Sequence, residues 1–225
     1  SAMGDIAINV LLSDLGKAMG ETGLMVVVSL VLALVLGLPL GFLLFLTQRG
    51  MLLENRALNF LGGLAINFVR SLPFVILLIL VLPLSQLVTG KSTGPIAATV
   101  PLAIASIAFY ARLVEVSLCE VDAGVIEAAR ALGATHSLIV REVLFPESLP
   151  GLVRGFTVTA ISLIGYSAMA GVVGGGGIGF LAINYGYYRY ETGVMVVTVA
   201  VLIVLVQFVQ WAGDAFALSL ERQKK

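Results

Sequence analysis

The chain has 225 residues, of which 59% are hydrophobic and only 12% are charged, and its formal net charge at neutral pH is zero. Soluble domains carry about twice that share of charged residues. So few charges cannot cover a water-exposed surface, and a soluble protein is therefore excluded. The balanced charge also argues against a nucleic-acid-binding protein. The composition predicts a protein that resides in a lipid bilayer.

Uncharged runs of about 20 residues predict the membrane-spanning helices, because charge is the costliest property to place in hydrocarbon. The five predicted spans lie at residues 22–48, 71–90, 92–111, 155–173 and 192–213. Another uncharged run, 57–69, is too short to span. It is expected to lie at the membrane interface or to lengthen the second helix. The expected fold is all-α, a polytopic membrane protein forming one domain over 1–225, of which Ser1 and Ala2 are expected to be a cloning remnant.

Lysine and arginine residues indicate the orientation of the spans, because they collect on the cytoplasmic side of a membrane. Five spans place the two ends of the chain on opposite sides. With the N-terminus outside, the external segments hold three basic residues, Lys17, Lys91 and Arg189. The cytoplasmic segments then hold ten, namely Arg49, Arg56, Arg70, Arg112, Arg130, Arg141, Arg154, Arg222, Lys224 and Lys225. The predicted topology therefore has the N-terminus outside and the C-terminus inside.

The stretch AGVVGGGGIGFLAINYG contains the pattern G-x-G-x-x-G at Gly174, Gly176 and Gly179. In dinucleotide-binding sites this pattern follows a strand and opens a helix within a βαβ unit. Here it follows an apolar helix without any βα alternation, so a cofactor site is not expected. Two interpretations remain. The glycines break the backbone at membrane depth, which is tolerated only inside protein or beside an aqueous cavity, or they form a flexible external turn.

The segment 112–154 is predicted to be a cytoplasmic loop that folds into two short helices. Asp122 is a suitable N-cap for the first helix, and Gly133 is a suitable residue to stop it. Thr135 can cap a second helix that runs to about residue 144. The hairpin of these two helices is either a docking element for a partner or a surface hairpin that covers the membrane domain.

Further residues of the hairpin have specific expected roles. Glu127 is spaced to pair with Arg130 on one face of the first helix, or it pairs with a basic group of a partner chain. Pro146 and Pro150 are expected to end the second helix before the fourth span. Helical spacing also predicts one apolar face, formed by Val125, Ile126, Ala129 and Leu132.

The hairpin resembles the cytoplasmic signature of permease subunits from ATP-binding-cassette importers. That signature is E-A-A, three residues, G, nine residues, then I-x-L-P; here Val143 replaces the Ile and Phe145 the Leu. The resemblance implies that the hairpin is a coupling helix seated in a groove of a separate ATPase. The implied coupling residues are Glu127, Ala128, Ala129, Gly133, Val143 and Pro146.

Five stretches of the chain resemble the methionine-uptake permeases more closely. They are RSLPFVILLILVLPL from Arg70, GVIEAARALGAT from Gly124, LPGLV from Leu149, GYSAMAGVVGGGGIG from Gly165 and QWAGD from Gln210. This resemblance implies a multi-pass permease of the bacterial inner membrane that imports methionine by alternating access. It also implies a second copy of the chain, an ATPase homodimer that binds ATP and Mg²⁺, and an external substrate-binding protein or lipoprotein. No cofactor is expected on this chain.

The fourth span is expected to form the translocation path. Small residues dominate its stretch 165–171, which allows two helices to pack closely. Tyr166, Ser167 and Met169 are the expected path residues. Met169 either closes a narrow apolar constriction or packs as an ordinary core residue.

Two other functions are weighed against an importer permease. A membrane enzyme has almost no support, because a single His136 and a single Cys119 cannot form a nucleophile–base pair or a metal cluster; no catalytic or metal-binding residue is expected. The chain also lacks a Walker A motif, so ATP hydrolysis is expected on another chain. An ion-coupled amino-acid carrier is the alternative function, but the predicted spans hold no ionisable residue of the kind such carriers use.

Overall fold

The structure, a computed structural model, describes the backbone of residues 2–222 and the side chains of residues 14–221. Over that range the chain contains helices and no strand. The α-helices are α1 (Ala2–Leu32), α2 (Leu38–Leu46), α3 (Arg56–Ser71), α4 (Phe74–Thr89), α5 (Pro95–Cys119), α6 (Ala123–Ala131), α7 (His136–Ile139), α8 (Phe145–Val172), α9 (Gly177–Leu181) and α10 (Thr192–Arg222). Three π-helical turns join or extend them, at Ala33–Gly37, Val140–Leu144 and Ala182–Tyr187.

Several helices have the length and composition of membrane spans. Among the described residues, four segments qualify: Asp14–Leu46, Pro95–Cys119, His136–Val172 and Thr192–Glu221. The number becomes five when α3 and α4, which are separated by a sharp bend, are counted as one span. The predicted all-helical class is therefore confirmed, with four to five candidate spans.

Helix α5 is the centre of the bundle and packs against α1, α2, α3, α4 and α8. Its buried face is rich in small side chains, including Ala97, Ala98, Ala103, Ala108 and Ala111. Small residues let neighbouring helices approach closely, which favours helix packing inside a bilayer. In the most apolar stretch of the outer helix α10, by contrast, only 11% of the residues are buried. The apolar side chains that it directs outward suit contact with lipid.

The run 57–69 does not continue the second predicted span as one straight helix. It belongs to α3, whose axis is bent by 110° from that of α4. The break lies at Leu72 and Pro73, where both residues have extended ψ angles, 133° and 135°. A residue that precedes proline is pushed out of the α-helical region by the proline ring, so the helix ends there and restarts at Phe74.

The prediction that Pro146 and Pro150 end the second helix of the hairpin is wrong. Helix α7 passes through the π turn Val140–Leu144 directly into α8, and both prolines lie within α8. In the π turn the Phe145 N–H donates to the carbonyl five residues back. Proline is tolerated where the hydrogen-bond register changes in this way, because one backbone N–H there has no ladder acceptor.

Candidate functional site

The turn of the hairpin is fixed by local hydrogen bonds. The Asp122 carboxylate accepts the Gly124 N–H at 2.6 Å and so caps α6. At the other end of α6, the Ala134 N–H donates to the Ala129 carbonyl, and the Gly133 N–H donates to the Arg130 carbonyl. These two bonds form a Schellman motif, which requires a left-handed residue at its penultimate position.

The turn residues predicted from the sequence take those positions. Gly133 has φ 78° and is the left-handed residue of the motif. Thr135 follows it, and its hydroxyl accepts the Leu138 N–H at 3.4 Å, which caps α7. Both predicted caps and the predicted stop are therefore present, and their hydrogen bonds define the backbone conformation of the hairpin turn.

The predicted apolar face of α6 divides into two parts. Ile126 is buried at 5% exposure and packs with Ala129 against the cluster that contains Ile139 and Leu144. Val125 is 45% exposed and Leu132 is 88% exposed. The inner residues attach the hairpin to the bundle, whereas the outer residues leave apolar surface at its tip.

The predicted pair between Glu127 and Arg130 is absent. The Arg130 guanidinium instead donates to the Gly50 carbonyl at 3.3 Å, in the loop between α2 and α3. Within residues 14–221, no cation lies within ion-pair distance of the exposed Glu127 carboxylate. The carboxylate is therefore available for a partner outside the chain.

The six predicted coupling residues lie along the two arms of the hairpin. Glu127, Ala128 and Gly133 are exposed, and Ala129 is half-buried beneath them. On the second arm, Val143 is half-buried within the π turn and Pro146 is exposed in the first turn of α8. The exposed members leave small side chains and one negative charge on the solvent side.

The glycine-rich segment after α8 packs inside the protein. A Cβ atom on Gly179 would overlap the backbone of Ala168, so α8 and α9 touch through their main chains. The Gly177 N–H donates to the Glu21 carboxylate at 2.8 Å, and the Ile178 N–H donates to the Thr22 hydroxyl at 3.0 Å. The segment also borders a cavity of about 370 Å³. Burial in protein favours the broken-backbone interpretation over a flexible external turn.

The three predicted path residues point in different directions from α8. The Tyr166 ring stacks on Phe74, with 4.6 Å between the ring centroids. Ser167 is buried, and its hydroxyl donates to the Ile164 carbonyl at 2.8 Å. Met169 is 45% exposed. The structure therefore does not bring the three side chains together within one chain.

Met169 belongs to a stripe of α8 that its own chain leaves uncovered. We define this α8 stripe as Val158, Gly165, Met169 and Val172, all of which are exposed. Their spacing of three, four or seven residues places them on one side of the helix. In a candidate membrane span that is otherwise half buried, such an apolar stripe is suited to contact lipid, another copy of the chain or a substrate path.

Sequence reasoning missed a polar cluster where α2 and α5 meet. The Glu115 side chain is only 10% exposed, and its carboxylate accepts hydrogen bonds from Arg112 at 2.6 Å and from Gln48 at 2.8 Å. The i,i+3 spacing of Arg112 and Glu115 was a usable signal for the ion pair. Gln48 is 67 residues away from Glu115, and no local pattern indicates that contact.

Comparison with known proteins gives consistent matches. Residues 37–222 match the family described as binding-protein-dependent transport system inner membrane component. The probable D-methionine transport system permease protein MetI of Vibrio cholerae is 45% identical over 203 residues, which cover 90% of each chain. The methionine import system permease protein MetP of Bacillus subtilis is 45% identical over 80% of this chain and 82% of its own. A structure of the MetNI methionine ABC transporter in an inward-facing conformation matches with a TM-score of 0.90 and 43% identity, covering 93% of this chain and 97% of that chain.

Proposed function

The chain belongs to the family of binding-protein-dependent transport system inner membrane components, and from this premise we propose that it is the membrane-spanning permease subunit of an ATP-driven methionine importer. The observation that carries the proposal is 45% identity to a D-methionine permease over 90% of the chain. Family membership also favours this function over an ion-coupled carrier. The chain is a transport subunit and not an enzyme, since ATP and Mg²⁺ bind to a separate ATPase.

The hairpin is the proposed contact with that ATPase. Its turn is closed by a Schellman motif, and the buried Ile126 attaches it to the bundle. The partner would meet the unpaired Glu127 carboxylate and the small surface of Ala128 and Gly133. Ala129, Val143 and Pro146 would support this surface from the base of the two arms. A rigid element of this kind can transmit a displacement, whereas a mobile loop would absorb it.

The α8 stripe is the proposed wall of the translocation path. In a homodimer two such stripes face each other, and Met169 of each chain meets the path between them. Tyr166 supports α8 through its stack on Phe74. Ser167 is buried in the isolated chain, so its proposed role is to hold the local helix geometry beside the path.

The proposed topology has the N-terminus outside and the C-terminus inside. Ten basic residues then lie on the cytoplasmic side and three on the external side, in accord with the positive-inside rule. This topology places the hairpin in the cytoplasm and the glycine-rich segment at the external end. An external substrate-binding protein would deliver methionine to that external end.

The proposed cycle is alternating access. ATP binding closes two ATPase subunits, the hairpins move with them, and the permease dimer opens to the outside. Hydrolysis returns the dimer to the inward-open state and releases the substrate to the cytoplasm. Each ligand drives its step only through its differential affinity for the two states.

The test is ATP-dependent methionine uptake in proteoliposomes that contain the chain, its ATPase and its substrate-binding protein. Glu127→Lys reverses the exposed charge on α6. Glu120→Lys is the matched control, because it makes the same change at an exposed glutamate that precedes α6. We expect uptake with all three components, loss of uptake in Glu127→Lys, and normal uptake in Glu120→Lys.

Other outcomes identify the part of the proposal that fails. Substrate-dependent ATP hydrolysis without methionine uptake would contradict methionine as the substrate. Uptake by the permease alone, driven by an ion gradient, would contradict an ATP-driven importer. Equal uptake by both lysine variants would leave the importer standing and remove Glu127 from the ATPase contact.

A further inference from the structure

A cavity lined by both charged and apolar residues lies between the external end of α1 and the glycine-rich segment. Its volume is about 370 Å³, within the range of about 300–1,000 Å³ that small-molecule sites occupy. The residues that line it include Asp14, Lys17 and Glu21 on one helix face of α1, and Tyr185 beyond α9. The predicted path residues of α8 do not line this cavity.

Charges of both signs meet at this cavity. The Glu21 carboxylate is fixed by the Gly177 N–H at 2.8 Å, and the Lys17 ammonium lies 4.0 Å from its other oxygen. The Asp14 carboxylate accepts the Tyr185 hydroxyl at 3.4 Å. Arg189 lies against the same tyrosine, 4.4 Å from the ring centroid. Two carboxylates and one cation thus line the cavity, with a second cation behind Tyr185, and both signs of charge needed for a zwitterionic ligand are present.

The rest of the cavity wall is apolar. Its apolar lining residues include Pro95, Phe180 and Leu181. The backbone approaches closely, since a Cβ on Gly176 would come within 2.6 Å of the Glu21 carboxylate and would occupy part of this space. A ligand with a charged end and a short apolar tail would match both walls.

We propose that this cavity is an external binding site for a free zwitterionic amino acid with an apolar side chain. Asp14 binds the α-ammonium group, Lys17 binds the α-carboxylate, Glu21 positions Lys17 through their ion pair, and the apolar side chains of the cavity hold the ligand side chain. The floor of the site is the loop that follows α8 directly, so bound ligand lies beside the proposed path. The inference rests on the proposed function, because it takes the substrate to be methionine and the N-terminal end of α1 to be external.

The test is direct binding of radiolabelled L-methionine to the permease–ATPase complex in lipid nanodiscs without the substrate-binding protein. Lys17→Gln and Asp14→Asn each remove one charge from the cavity, and we expect each to weaken binding about tenfold, as the loss of one charged hydrogen bond does. Lys91→Gln is the matched control, an exposed lysine on the same proposed side that does not line the cavity. It should leave the Kd unchanged.

Two methionine analogues test the complementary charges on the ligand. One lacks the carboxylate and is 3-(methylthio)propylamine; the other lacks the amine and is 4-(methylthio)butanoate. We expect each to compete about tenfold more weakly than methionine. Lys17→Gln should abolish the preference for methionine over the amine but keep the preference over the carboxylate.

Several results would overturn the assignment. Absence of saturable methionine binding would do so, as would equal affinity in wild type and in both cavity variants. If phospholipid copurifies with the wild type and is lost in Lys17→Gln, the ligand of the cavity is a lipid headgroup instead. Uptake in the three-component proteoliposomes separates the two proposals: uptake without binding at the cavity refutes only this site, whereas absence of uptake refutes the importer.

Discussion

Replacement of Gly133 by valine tests whether the hairpin couples ATP hydrolysis to transport. Gly133 has φ 78°, and an added Cβ would meet nothing within 4 Å. The substitution therefore introduces backbone strain without a steric clash. The left-handed conformation costs an L-residue about 1–2 kcal/mol, and a β-branched side chain lies at the upper end of that range or beyond it.

A local cost of this size reduces the ratio of capped to open hairpin by a factor of roughly 5–30. Helix insertion should not change, because the turn lies outside the candidate spans. Gly90→Val is the matched control, since Gly90 is also a left-handed residue at a helix C-terminus, with φ 71° and no atom within 4 Å of its Cβ position. It terminates α4, far from the hairpin in sequence.

The assay compares substrate-stimulated ATP hydrolysis and methionine uptake in the same proteoliposomes. We expect Gly133→Val to assemble with the ATPase more weakly and to lose most uptake per ATP hydrolysed. Gly133→Asn should retain more uptake, because asparagine tolerates positive φ. Wild-type coupling in Gly133→Val, or equal losses in Gly133→Val and Gly90→Val, would refute the reasoning.

Three further substitutions test the packing, the polar cluster and the path. Gly179→Ala places a Cβ into the backbone of Ala168 and should lower the stability of the purified complex by about 1–3 kcal/mol, measured as a lower midpoint of thermal unfolding in detergent. Arg112→Met leaves the buried Glu115 carboxylate without its ion pair and should cost about 1–3 kcal/mol in the same measurement. Met169→Ala shortens the longest side chain of the α8 stripe and should raise methionine leak from vesicles without ATP, measured as efflux of labelled methionine.

Each of these substitutions has a matched control that we expect to have little or no effect. Gly193→Ala adds a Cβ where no atom lies within 4 Å and should leave the thermal midpoint unchanged. Arg141→Met removes an exposed pair with Glu142 and should cost less than about 1 kcal/mol. Met19→Ala removes an equally exposed methionine from α1 and should not alter leak. Equal effects within any pair would contradict the structural reason given for it.

The sequence was most informative where local chemistry decides the conformation. Asp122 and Thr135 have side chains that cap helices, and Gly133 is the residue that a left-handed turn requires, so the turn of the hairpin could be predicted residue by residue. The uncharged runs likewise indicated where apolar helices lie, since the cost of burying charge is independent of the rest of the fold.

The sequence was least informative where a distant contact or a change of helical register determines the conformation. No local signal marks the π turn that precedes Pro146, so the sequence predicts a helix end at this proline, although the helix continues past it. The contacts of Glu21 and Thr22 with the glycine-rich segment join residues 156 positions apart. The Glu115 carboxylate likewise accepts a hydrogen bond from Gln48, which lies in the loop after α2 and is 67 residues away. No repeating pattern in the sequence indicates any of these contacts.

The helix that passes unbroken from the hairpin into the bundle has a mechanical consequence. His136–Val172 comprises 37 residues, which corresponds to a rod of about 55 Å at 1.5 Å per residue. The arm beside the turn and the α8 stripe thus lie toward opposite ends of one lever, and the π turn Val140–Leu144 lies near its hairpin end. The rod packs against α5, so α5 would be the fulcrum if displacement of the hairpin tilts the proposed path wall. A substitution that stiffens the π turn would change how far the α8 stripe moves for a given displacement of the hairpin. It would leave the residues at both ends of the lever unchanged.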